Sequence, residues 1–416
     1  MSASASVQNI SPTNSASSPP VPVLLFGRGL TLTGAMRTLG RAHMAFYSAC
    51  HANDFAAHSR WYQAPPLRGC ANPEPRELEI FLRALPLERA VLIPCADDWL
   101  QAVAALPNAL AARFTSSTPA PATVRTMVDK WCFAQMLEEV GTPHPHTLLL
   151  TSHDQMQSMP EAAFDSWLLK PLLSREFARR HGVKGYLVKS REEALKIATS
   201  IQFPIMLQEY IPGPPSATCF VDGFVDRHGI TRARFARRRL RVHPTTMGNS
   251  SLMVSIPLEE IGPAVESLDR LLASIAYRGT FSAEFKYDFR DRTFKILEIN
   301  ARPWWYVEFA ARQGVDVCRL AYLDALGLPV ESIESYAIGR RCVYLPVDFQ
   351  AYRELRAARA ISPLSWIRSL VGANDALFEW DDPGPALACA VHSLRTLLQG
   401  CLSSWACTDL RPKAPM

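Results

Sequence analysis

Glu298 and Asn300 stand two residues apart in FKILEINARPWW, Phe294 to Trp305, and Arg302 follows two further on. On a β-strand, residues two apart share a face. The run therefore presents a carboxylate and an amide together, with a guanidinium close by, while Leu297 and Ile299 turn the other way as core. The preceding run, TFSAEFKYDF, reads as the other arm of a hairpin whose tight turn spans Phe289 to Thr293. Centring that turn on Asp291 predicts Tyr287 opposite Lys295, Glu284 opposite Glu298, and Ser282 opposite Asn300. Two carboxylates directly across an antiparallel pair repel, at a cost of about 1 kcal/mol or more in a half-buried site. A divalent cation between them reverses the sign of that interaction. Glu284, Glu298 and Asn300 offer hard oxygen donors, which suit Mg²⁺; this ion takes few carboxylates and completes its shell with water and substrate phosphates. A solvated sheet face would carry the same residues, and spacing alone leaves both readings open.

Such a hairpin needs a frame to hold it. VPVLLFGRG, TLTGAMRTLGRA and AVLIPCADDWLQAVAAL alternate strand and helix patterns, which predicts a small parallel α/β domain over residues 21–118. Residues 1–20 are rich in Ser, Ala, Pro and Asn, and are expected to form a disordered tail. The Pro-rich STPAPATVRTM marks a boundary. One helix is then expected from Val124 to a stop at Gly141, with Met127, Trp131, Ala134 and Leu137 inward and Pro143 and Pro145 just beyond. Strands WLLKPLL, GYLV and IMLQEYIPG follow, with the helix SREEALKIATS among them. The stretch ATCFVDGFVDRHGITRARFARRRLRV reads as antiparallel strands around a turn at Asp226 to Gly229. A helix over roughly 261–276, the hairpin, and a single helix YVEFAARQGVDVCRLAYLDALG complete a unit over residues 119–335. Residues 336–416 are less regular and carry no assigned role.

The 416 residues are 48% hydrophobic and 20% charged with a net charge of +5, an ordinary globular balance that demands neither a nucleic-acid nor a membrane partner. Ten scattered cysteines form no CxxC pair, so they read as buried fillers or free thiols rather than a metal or disulfide framework. The N-terminus has no basic-then-apolar signal pattern, and no apolar run reaches membrane-spanning length. A cytoplasmic protein is the expectation.

Taken in order, Lys130, Lys170-Pro171, Gln208-Glu209-Tyr210-Ile211-Pro212-Gly213, Glu284, and Glu298-Ile299-Asn300-Ala301-Arg302-Pro303 resemble the ATP-grasp superfamily, and within it the carboxylate–amine ligases. The resemblance covers about residues 21–330. It implies an ATP-grasp fold, two α+β subdomains gripping a nucleotide, preceded by a small Rossmann-like parallel α/β domain. It implies ATP and Mg²⁺ as cofactors, with Mn²⁺ as a substitute. Lys130 and Lys170 would reach the nucleotide phosphates. Glu209, with the backbone of Tyr210 and Ile211, would hold the adenine. Glu284, Glu298 and Asn300 would be metal ligands, and Arg302 would face the γ-phosphate or acyl phosphate. The phosphate-covering loop departs from the family pattern: LSREFARRHGVKGY is arginine-rich, and Lys184 and Ser174 are its candidate phosphate contacts.

The chemistry implied is activation of a carboxylate as an acyl phosphate and its capture by an amine. RARFARRRLRVHPTTMGNS carries six arginines, of which Arg239 and Arg241 share one face by parity and are the candidates to bind the acid substrate. Small-molecule acid and amine partners and a homodimer are the expectations. The alternatives are a non-catalytic nucleotide-binding relative, an ATP-grasp carboxylase, an arginine-rich nucleic-acid binder, and an oxidoreductase resting on GRGLTLTG, whose glycine spacing departs from GxGxxG.

Overall fold

Three sheets, each built from one stretch of chain except for a late addition to the third, carry the architecture. The computed structural model describes residues 20–67, 73–164, 167–172, 185–245 and 248–395. The N-terminal tail and the candidates Ser174 and Lys184 lie outside them.

The first sheet holds β1 (Val23–Phe26), β2 (Phe46–Ala49), β3 (Ala90–Pro94) and β4 (Phe114–Thr115), all parallel, in the order β2-β1-β3-β4. β1 and β3 are buried along their whole length, as apolar runs covered on both faces must be. The second sheet is antiparallel and combines β5 (Thr147–Leu150), β6 (Trp167–Pro171), β7 (Tyr186–Val188) and β8 (Ile205–Glu209) in the order β5-β8-β6-β7. Gly185, just before β7, sits so close to β6 that a Cβ there would meet the Leu169 carbonyl oxygen at 2.9 Å, so only glycine fits beside Lys170.

The third sheet contains β9 (Thr218–Val225), β10 (Thr231–His243), β11 (Asn249–Ile256), β12 (Gly279–Asp288), β13 (Thr293–Asn300), β14 (Arg341–Val343) and β15 (Ala373–Asp375). Its order is β13-β12-β9-β10-β11-β14-β15, antiparallel except for the last pair. Residues beyond 335 are therefore more regular than the sequence suggests. They extend the large sheet by two strands and add the helices Leu345–Ala357 and Pro363–Leu370.

Two expected helices are each split in two. Pro121–Val128 and Lys130–Val140 meet at Asp129, which leaves helical geometry and caps the second helix by accepting from the N–H groups of Trp131 and Cys132. Val307–Arg312 and Val317–Ala325 are separated by Gly314 at φ +107, a backbone conformation that side-chain-bearing residues rarely adopt. The seven cysteines among the described residues are free thiols, and five of them are buried.

Candidate active site

The hairpin register places Glu284 opposite Glu298 and Ser282 opposite Asn300, as the turn geometry predicts. A bulge then intervenes at Leu297, so Tyr287 faces Phe294 rather than Lys295, and Lys286 faces Lys295. The bulge also changes which side chains are core: Ile296 and Ile299 are buried, and Leu297 is only half-buried.

From the exit of β13, a continuous polar chain runs to the first sheet. Asn300 donates to Glu298 Oε1 at 3.3 Å, and Arg302 Nη2 donates to Asn300 Oδ1 at 3.1 Å. Arg302 also grips Asp97 with both arms, at 2.6 and 3.0 Å. Burial works against the Arg302 charge, but Asp97 and Glu298 hold the guanidinium protonated above its ordinary value. Asp97 opens the helix Asp97–Ala104 that follows β3, so this contact joins the first sheet to the third. Sequence reasoning missed it, because 205 positions separate the partners.

Glu284 is largely buried and receives Arg239 Nη2 at 3.0 Å, while Ser250 fixes the same arginine through Nε at 2.8 Å. Lys286 shares the Glu284 face by parity. Burial first, and Arg239 second, push its ammonium pKa down. Its Nζ lies 5.0 Å from the Tyr210 ring centroid. Lys286 is a second residue the sequence reading passed over, although its position two after Glu284 was a usable signal.

Arg241 does not share this setting. A bulge between Arg239 and Arg241 breaks the expected parity. Arg241 forms a buried bidentate pair with Asp348 at 2.9 and 2.8 Å and donates to Ser369, both in the C-terminal helices. The remaining arginines of β10 are also matched to acids: Arg232 to Asp226, Arg234 to Asp269, Arg237 to Asp222 and Arg238 to Glu260. The strand lies inside the sheet, and its charge is consumed within the molecule rather than offered as a basic edge.

On the second sheet, Lys170 Nζ donates to Gln208 Oε1 at 2.7 Å, and Gln208 in turn donates to Thr147. Gln208 stands opposite Leu168, two residues before Lys170, so Gln208 and Lys170 are diagonal neighbours across the strands, the relation that lets long side chains meet. Lys130 opens its helix directly after the Asp129 cap. Glu209 ends β8. Its carboxylate accepts from Arg290 at 2.6 Å and lies 3.6 Å from Lys295, which ties the second sheet to the hairpin tip of the third. Tyr210 is half-buried and Ile211 is buried directly after it.

Among the described residues no group of three or more His, Cys, Asp or Glu is arranged to hold a metal. Glu284, Glu298 and Asn300 supply two carboxylates and an amide, an all-oxygen set with room for phosphate and water. That composition fits Mg²⁺ and does not fit zinc. The GRG turn after β1 is a poor phosphate site. Its Gly29 N–H already donates to both oxygens of Asp54 at 3.0 Å, so a carboxylate of the chain's own fills the helix N-terminus.

No family model matches the chain. It is 24% identical over 326 residues to D-aspartate ligase of Enterococcus faecium, covering 73% of this chain and 76% of that one. Its structure is similar to an L-amino acid ligase from Bacillus licheniformis, at TM-score 0.59 and 13% identity, over 78% and 79% of the two chains. It is also similar to the biotin carboxylase domain dimer of Hydrogenobacter thermophilus 2-oxoglutarate carboxylase, solved with MgADP and bicarbonate, at TM-score 0.58 and 14% identity over 77% and 73%. With a Rossmann-like parallel sheet ahead of two α+β units, the chain has the ATP-grasp fold, and the proteins it resembles include both amino-acid ligases and a carboxylase.

Proposed function

We propose that the protein is an ATP-dependent ligase that joins a small carboxylic acid to an amine. The observation that carries this reading is the Glu284–Glu298 pair facing each other across the hairpin, with Asn300 and Arg302 in line behind it. An oxygen of the acid substrate attacks the γ-phosphorus of ATP, ADP leaves, and an acyl phosphate forms. The amine then attacks the acyl carbon, inorganic phosphate leaves, the nitrogen gives up a proton, and an amide remains. No side-chain nucleophile is needed, so the protein's task is to hold charge in place.

Mg²⁺, held by Glu284, Glu298 and Asn300, would supply positive charge against the nucleotide phosphates. Lys170, braced by Gln208, offers its ammonium to the same phosphates from the second sheet. Lys130 serves at the helix start. Glu209 and the backbone of Tyr210 and Ile211 hold the adenine at the strand end. Arg302 orients the transferred phosphoryl group, and Arg239 balances Glu284 until the site is loaded. Arg241 serves packing of the C-terminal helices instead of substrate binding. ATP as co-substrate points to the cytoplasm as the place of reaction.

The test is ADP release from the purified chain with Mg·ATP over pools of amino acids and small carboxylic acids, with aspartate of both hands first because of the named relative. Release that requires one acid and one amine, and is lost in Glu298→Gln, supports a ligase. Release driven by bicarbonate alone identifies a carboxylase. Tight ATP binding with no turnover in any pool identifies a non-catalytic relative.

A further inference from the structure

The helix Pro363–Leu370 is amphipathic the wrong way round for a helix of a folded interior. Its polar groups point inward: the Trp366 indole N–H donates to Asp348 at 2.9 Å, and Ser369 accepts from Arg241 at 2.8 Å. At about 3.6 residues per turn, Leu364, Ile367 and Val371 share the opposite stripe. They are 55%, 54% and 71% exposed, and the helix buries no residue. The neighbouring helix Leu345–Ala357 behaves alike. Leu345 and Phe349 lie one turn apart at 42% and 48% exposure, and the Phe349 ring reaches Trp366 at 6.0 Å between centroids.

The same surface is basic. The Leu345–Phe349 stripe continues into Arg353 and Arg356, Arg359 follows in the turn, and Arg368 flanks the second stripe; all four arginines are exposed. The only acids between Leu345 and Gly372 are Asp348 and Glu354. Asp348 is buried against Arg241. Glu354 accepts from the Thr245 N–H at 3.0 Å and lies 3.2 Å from His243. Among the described residues none of these four arginines makes an ion pair, so the patch combines exposed apolar stripes with positive charge.

A second copy of the chain is a poor occupant, because a two-fold interface sets the same patch against itself and brings arginine to arginine. An anionic bilayer suits both features, since apolar side chains enter the acyl boundary and arginines meet headgroup phosphates. We propose that the outward face of these two helices docks the protein peripherally on a membrane surface rich in anionic lipid.

Sedimentation of the full chain with phosphatidylcholine vesicles, with and without phosphatidylglycerol, tests this. Binding is expected only with phosphatidylglycerol and is expected to fall as salt rises. Ile367→Glu should abolish it. The pair Arg353→Glu and Arg356→Glu should weaken it by at least about tenfold. Ile80→Glu, at a still more exposed position on the first domain, should leave it unchanged. Thermal melting of each variant shows whether the fold is kept. Equal binding to both vesicle types, no binding at low salt, or concentration-dependent self-association abolished by Ile367→Glu would each overturn the proposal, the last in favour of a second copy.

Discussion

Arg302 is held by three protein groups, of which Asp97 makes the strongest contact, yet Asp97 comes from the first sheet, outside the hairpin. We read Asp97 as a positioning residue that acts through Arg302. Asp97→Asn keeps the shape but loses the ionic grip, worth about 1.4 kcal/mol or a factor of about ten. Steady-state kinetics should show that loss in kcat, with KM for ATP nearly unchanged. In an Arg302→Lys background the same substitution should cost almost nothing more; an additive loss would mean Asp97 acts elsewhere. At this level the sequence was legible where contacts are local. Glu284 and Glu298 face each other because a short turn fixes their register. Asp97 and Arg302 meet across two sheets, and no spacing rule connects them.

Bulges mark the limit of what strand patterns reveal. One extra residue at Leu297 shifts the pairing of every residue beyond it, whereas two compensating irregularities around Arg241 displace that residue alone before the register resumes at Val242. Tyr287 and Arg241 were misplaced for that reason alone. The split at Asp129 could have been read, since an Asp two and three residues before amide donors is a cap signature. The hairpin tip also carries a pH prediction. Asp288 is fully buried and bonded to Arg290 and Lys295, and Arg290 above all holds its carboxyl well below the usual range, with burial opposing. The folded pKa is thus lower than the unfolded one, near 3.9. The stabilisation is fully present above about pH 4 and fades as pH falls toward the folded value. Denaturant midpoints for the wild type and Asp288→Asn should differ at neutral pH and converge under acid. A gap that widens in acid would refute the assignment.

The least legible feature is how the chain's end closes on its beginning. Arg37 is fully buried on the first helix and bonds Asp382 at 2.8 Å, Glu308 at 3.3 Å and three carbonyls of the C-terminal segment, those of Ala376, Leu377 and Asp382. Asp382 also accepts from Ser59 and from the Arg60 backbone. Residues 336–395 therefore bind the first domain to the large sheet, and β14 and β15 are too short to announce themselves. Asp382→Ala leaves Arg37 buried without its main partner, a change that costs about 3 kcal/mol. Thermal unfolding should show a fall in Tm shared by all probes of the structure; a local change with Tm unmoved would argue against the clasp.

The Glu284–Glu298–Asn300 cradle is proposed to support transfer of a phosphoryl group to a carboxylate. Hydroxylamine trapping tests it most directly, because it captures an acyl phosphate as a hydroxamate without any need to know the amine. With Mg·ATP and the competent acid, the account predicts hydroxamate formed mole for mole with ADP, and none from Glu298→Gln. ADP formed without hydroxamate at saturating hydroxylamine, or equal trapping by the variant, would contradict it.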